Sequence, residues 1–225
     1  IYTLSLHDAL PIYELAPYSS EKLQGKKKCK HALQRALGLE ESDAPMLTMI
    51  SRLVAPKGVD IVTDMLDDML YNHDMQFVML GTGDADYEEW FRQLQYRHPE
   101  QARSLIEFNT GTAHRIYAAG DMLFMPSRSE PCGLAQMIGC RYGNVPIVRL
   151  TGGLADSIRE WDGHEGNGFT FYDYNGEELA YAVRRGLDLY GRRNKWRALV
   201  RHILEEDFTW ARSAQEYHKL YLELL

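Results

Sequence analysis

Apolar residues along this chain gather in short continuous runs of strand length, at 46–50, 76–80, 104–108, 122–125, 145–148 and 168–171. Helix-length stretches fill most of the intervals between them, at 59–70, 87–96, 113–119, 134–142 and 154–159. A short amphipathic helix over 28–37, stopped by Gly38, comes before the first strand. Beyond Asn175 the strands stop, and 179–190, 195–205 and 210–224 read as three successive helices. Strands alternating with helices require crossover connections, so the sheet is expected to be largely parallel and covered on both faces. The predicted fold is α/β and doubly wound, of the Rossmann-like kind.

In such a sheet ligands bind beyond the carboxyl ends of the strands. The polar and glycine-rich segments fall there: Arg52 and Lys57 after the first strand, Gly81 and Gly83 after the second, Glu130, Cys132 and Gly133 after the fourth, and Gly152 and Gly153 after the fifth. The segment 130–133 would join a strand to a helix. The first N–H groups of that helix lack partners within it and carry the positive end of its dipole, so Gly133, Leu134 and Ala135 are candidates to hold a phosphate. Glu130 beside them is either a solvated loop residue or a carboxylate placed for a sugar, as a hydroxyl acceptor or as negative charge near an oxocarbenium-like carbon. Arg52 and Lys57 read as surface ion-pair partners or as two fixed cations for an anion.

The order of the motifs is more specific than any one of them. Ser51-Arg-Leu-Val-Ala-Pro-Lys-Gly58, Leu80-Gly-Thr-Gly-Asp84, Ser127-Arg-Ser-Glu-Pro-Cys-Gly-Leu134, Tyr142-Gly-Asn-Val-Pro146 and Thr151-Gly-Gly-Leu-Ala-Asp-Ser157 follow one another as in the carboxyl-terminal lobe of bacterial glycogen synthases and plant starch synthases, glycosyltransferases of the two-lobed GT-B architecture. The chain resembles that lobe from about Tyr18 to its end. The resemblance implies a retaining transfer of glucose from ADP-glucose to the non-reducing end of an alpha-1,4-glucan. It also implies that Arg52 and Lys57 grip the departing diphosphate, where fixed charge stabilises the developing anion. Glu130 would be a stabiliser and positioner rather than a nucleophile. Many retaining transferases of this architecture carry a second glutamate eight positions further on, where this sequence has Ile138; glycogen and starch synthases commonly lack it too. Phe108 occupies a position where the family often has Tyr stacked on adenine, although a core role is equally open. Ala135 replaces a hydroxyl or amide residue common in the family. ADP rather than UDP follows from the resemblance to bacterial enzymes alone.

Other residues call for blander readings. Cys132 has no His or Asn arrangement to make it a catalytic nucleophile, and is expected to pack at the sugar site while keeping the reactivity that helix starts confer on thiols. His114 and Arg115 are expected to be structural, and Trp196, Trp210, Tyr217 and Tyr221 to serve helix packing. No paired acidic motif of the kind that holds a metal on a nucleotide-sugar is present, and no cofactor is expected.

At 225 residues and a formal charge of −7 the chain has the composition of a globular domain and argues against a nucleic-acid partner. The local basic run Gly25-Lys-Lys-Lys-Cys-Lys30 is read as a solvated helix start. No stretch reaches the ~18 uninterrupted apolar residues of a membrane span. Three cysteines without C-x-x-C spacing suggest neither a disulfide framework nor a zinc site, and a cytoplasmic location is expected. Residues 1–12 match nothing in the family and lack signal-peptide features, so they read as a foreign leader, with 13–225 the nucleotide-sugar-binding lobe. Its final helices, 176–225, would pack toward an amino-terminal lobe that this chain lacks. Two rival readings remain: a non-catalytic module that binds ADP or ADP-glucose, and another two-lobed glucosyltransferase such as a phosphorylase or sucrose synthase.

Overall fold

A computed structural model describes residues 16–223; the expected leader at 1–12 lies outside them. Six strands form one all-parallel sheet: β1 (Met46–Ile50), β2 (Gln76–Leu80), β3 (Ala102–Leu105), β4 (Met122–Met125), β5 (Val145–Arg149) and β6 (Phe169–Phe171), in the order β3-β2-β1-β4-β5-β6. Helices α1 (Gln24–Leu37), α2 (Val59–Asn72), α3 (Ala85–Arg97), α4 (Thr110–Ala119), α5 (Ala135–Arg141), α6 (Gly152–Ser157) and α7 (Gly176–Gly191) connect and cover it, and α8 (Arg193–Glu205) and α9 (Trp210–Glu223) follow.

The four central strands are nearly or wholly buried along their length, as expected when helices lie on both faces. Met46, Met49, Phe77, Met79 and Phe124 fill the sheet core, with Phe77 stacked against Phe91 of α3 at a ring separation of 6.1 Å. The chain builds outward from β1 in one direction as far as β3, then returns to β4 on the other side of β1. The crevice between the carboxyl ends of β1 and β4 is therefore the topological switch point, where open α/β sheets place ligands.

Three sequence expectations need correcting. Strand β3 covers Ala102–Leu105 rather than 104–108, because it is the sheet's edge and only its first residue is buried. A half-exposed edge strand does not show as an apolar run. The basic run at 25–30 is not simply solvated, for α1 begins at Gln24 and turns two of its lysines inward. The Lys26 amine donates to the carbonyls of Gly120 (2.7 Å), Tyr142 (3.0 Å) and Ala118 (3.3 Å), and Lys30 reaches Asp121 at 2.6 Å. Finally, Trp196 packs in the core as expected, but Trp210, Tyr217 and Tyr221 are not buried among the described residues: all three are exposed, on an α9 that has no buried residue. Among the described residues no helix is long and apolar enough to cross a membrane.

Candidate functional site

A recess of about 240 Å³ opens at the switch point. It is lined from the β1 side by Arg52 and Lys57 and from the β4 side by Ser127, Glu130, Gly133, Leu134 and Ala135. Segments about 70 residues apart in sequence meet there because β1 and β4 are paired neighbours, Leu47 with Met122 and Thr48 with Leu123.

Lys57 closes a 3-10 turn, Ala55–Lys57, whose second residue is Pro56 and which ends at Gly58. Its amine makes an ion pair and hydrogen bond with Glu130 Oε2 across the recess. The side chains are 23% and 11% exposed, which sets this pair apart from the solvated ion pairs of the surface. Ser127 Oγ donates to the same carboxylate oxygen at 3.2 Å. Arg52, by contrast, has no side-chain partner among the described residues. The recess thus holds one cation balanced by a carboxylate and one that is not, an arrangement with room for an anion.

Helix α5 starts at Ala135, with Leu134 before it and no side-chain cap, so its first N–H groups are not satisfied by a side chain. Gly133 has a φ of 76°, in the left-handed region, and turns the chain from Glu130 into that helix. Gln136 braces the turn, its amide nitrogen sharing two hydrogens among the carbonyls of Gly133 (3.0 Å) and Cys132 (3.3 Å) and Ser157 Oγ (3.1 Å).

The other sequence candidates lie around the recess rather than in its lining. Gly152 and Gly153 lie under the Glu130 segment: Gly153 N–H donates to the Glu130 carbonyl at 3.0 Å, and a Cβ on Gly152 or Gly153 would come within 2.2 Å of Glu130 O or 2.0 Å of Cys132 O. Gly81 and Gly83 flank the backbone that carries Arg52, which pairs through Leu53 N–H to Thr82 O (2.9 Å) and Asp84 N–H to Leu53 O (2.8 Å). Cys132 is exposed, with its thiol 3.7 Å from the Gly133 carbonyl. Phe108 is 83% exposed on the loop between β3 and α4, which removes its core reading and leaves a free ring face. His114 is tied to the Tyr142 hydroxyl at 2.8 Å and Arg115 lies on α4, both away from the recess lining.

Sequence reasoning missed three residues of this neighbourhood: Ser127, Gln136 and Tyr174. Ser127 stands inside a quoted motif and Gln136 two residues beyond it, and the roles of both depend on side-chain direction. Tyr174, between β6 and α7, reaches Asp60 and Ala55 over sequence separations of 114 and 119 residues, for which no local signal exists.

Comparison with known proteins agrees with this geometry. The family described as "Glycosyl transferases group 1" matches residues 32–202. Glycogen synthase of Bacillus cereus (strain ATCC 10987 / NRS 248) is 41% identical over 216 residues, covering 95% of this chain and 45% of that protein. Glycogen synthase of Thermosipho melanesiensis is 47% identical over 208 residues, covering 91% and 43%. Among solved structures, the catalytic domain of starch synthase IV from Arabidopsis thaliana, bound to ADP and acarbose, superposes with a TM-score of 0.86 at 36% identity, over 96% of this chain and 46% of that one. The chain spans less than half the length of these relatives, and what it spans includes both walls of the recess. A doubly wound sheet, a recess at its switch point and a family match over most of the sequence place the chain among the group 1 glycosyltransferases, in the part that corresponds to the carboxyl-terminal lobe of glycogen and starch synthases.

Proposed function

We propose that this chain is the donor-binding lobe of a retaining glucosyltransferase that extends an alpha-1,4-glucan from ADP-glucose. The observation that carries the proposal is the convergence of Arg52, Lys57, Glu130 and the start of α5 on one recess, in a chain 36% identical to a starch synthase solved with ADP. A diphosphate entering the recess would draw Lys57 away from Glu130 and take the unpartnered Arg52, one as a point charge and the other as a planar fork. Both cations would then face the negative charge that grows on the leaving ADP. Glu130, relieved of Lys57 but still bonded to Ser127, would keep its charge toward the sugar carbon, where positive character develops. The exposed ring of Phe108 is available to stack on the base. ADP is preferred to UDP because of the starch synthase and glycogen synthase relatives.

Titration calorimetry with ADP and UDP tests this. Arg52→Ala and Lys57→Ala should each weaken ADP binding by ~1.5–3 kcal/mol, the range of charge-assisted hydrogen bonds. Glu130→Ala should leave ADP affinity equal or raise it, since the substitution frees the Lys57 amine without removing a diphosphate contact. Unchanged affinity in both cation variants would take them out of the site, and a matching loss in Glu130→Ala would make the carboxylate a structural prop. A second reading, that this chain by itself binds the donor without transferring glucose, is favoured by its covering 45% of the B. cereus enzyme.

A further inference from the structure

The turn that carries Lys57 is three residues long, buries none of them and has no side-chain cap. So short a 3-10 turn has little of its own to hold it. One external brace comes from the side chain of Tyr174, in the segment between β6 and α7. The phenol donates to Asp60 Oδ1 at 2.5 Å and lies 3.2 Å from the Ala55 carbonyl oxygen. One hydroxyl thereby meets the first residue of the turn and the helix start that follows Lys57. Burial and the Asp60 carboxylate both push the phenol's pKa upward, so it stays a donor at neutral pH.

The ring reaches the opposite wall of the recess. The guanidinium carbons of Arg128 and Arg149 lie 5.1 and 5.5 Å from its centroid, within cation–π range. Arg149 donates to the Arg128 carbonyl at 3.0 Å and to the Tyr172 carbonyl at 2.9 Å, and the Arg128 N–H donates to the Pro56 carbonyl at 2.9 Å. The Lys57 turn and the loop leading to Glu130 are thus fastened to one tyrosine from a third segment.

We infer that Tyr174 is a positioning residue of the site, fixing the Lys57 amine against the Glu130 carboxylate. The inference rests on the proposed donor role only for its effect on ligand binding; the placement of Lys57 can be read without any ligand.

Two readouts on the 225-residue chain separate the questions. The first is the rate at which Lys57 is acylated by an amine-reactive reagent, followed by mass spectrometry with the exposed Lys219 as internal reference. The second is ADP affinity by calorimetry. Tyr174→Phe keeps the ring and removes the hydroxyl, and should speed Lys57 acylation relative to Lys219 about three- to tenfold, the factor equivalent to one net hydrogen bond. ADP affinity should fall by a similar factor. Asp60→Ala removes the same bond from the other side, and decides the matter if the tyrosine variant does not fold. An unchanged Lys57 rate in a folded variant, even one with a lower melting temperature, would reduce Tyr174 to packing and overturn the inference. Faster acylation with unaltered ADP affinity would support the positioning role and sink the donor role of Lys57 instead. If the parent chain binds no ADP, the acylation rates still decide on Tyr174.

Discussion

Lys26 and Lys30, one helical turn apart on α1, behave as core residues although their sequence context is a solvated-looking basic run. A buried ammonium is tolerable when its donors are satisfied, and Lys26 spends its three on three backbone carbonyls at the ends of α4 and α5. It lacks the directly bonded carboxylate that Lys30 has in Asp121, and desolvation lowers its pKa from 10.5 to about 8, against a smaller upward pull from Asp121. The sign of the linked effect follows. Between pH ~8 and 10.5 the unfolded chain holds a proton on Lys26 that the folded chain releases, so stability rises with pH through this window. Below pH ~8 both states are protonated and the burial cost is present in full. Lys26→Met should remove this contribution. Urea denaturation of both proteins at pH 7.5, 9 and 10, each carrying Cys29→Ala because that thiol is coupled to the Lys26 amine, should show the parent gaining on the variant as pH rises, while the buried Cys140 thiol, common to both, cancels in the difference. A constant gap would show that Lys26 titrates alike in both states.

At the scale of elements, the recess is made by turns rather than by the helices and strands they join. Gly58 follows Lys57 with a φ of 76°, and a Cβ there would lie 2.1 Å from the Pro126 carbonyl oxygen, on the loop that leads to Glu130. Gly58→Ala should therefore destabilise the protein by ~1–3 kcal/mol, the cost of a strained left-handed residue, and weaken ADP binding as the two walls part. Gly191→Ala, at a position with no atom within 4 Å of the added carbon, is the control and should be neutral or mildly stabilising. Equal denaturation midpoints for the two variants would refute the close-approach argument. The same contrast explains what could be read from sequence. Buried strands such as β2, QFVML, announce themselves as apolar runs, and Lys57, Glu130 and Gly133 are legible because each stands beyond a strand end at a glycine or proline signal, while Arg52 is legible because it lies two residues past the end of β1. The edge strand β3, the inward lysines of α1 and the Tyr174 brace are not. Each depends on which face of an element meets another far along the chain, and one residue's polarity does not encode that.

At the scale of the whole molecule, the described residues present one recess lined by Arg52, Lys57 and Glu130, the donor site of the proposed function, and a helix that stands apart from it. Helix α9 is exposed along its described length, with Trp210 80% and Tyr221 63% accessible, a density of large apolar side chains that normally marks a contact surface. We propose that α9 packs on the amino-terminal lobe present in the relatives, of which this chain spans less than half. Glucosyl transfer needs the acceptor hydroxyl held against the sugar carbon in a water-excluding cleft, and closure between two lobes supplies both conditions. One lobe can offer the cations and the helix start, but not the opposite wall. The 225-residue chain should accordingly bind ADP and fail to incorporate labelled glucose from ADP-glucose into glycogen. A version beginning at Tyr13 should bind ADP equally well, because no candidate site residue lies before it. Calorimetry paired with glycogen labelling on both versions checks this. Robust incorporation by the 225-residue chain would show that one lobe suffices for transfer, and loss of ADP binding on trimming would make the first twelve residues part of the folded domain.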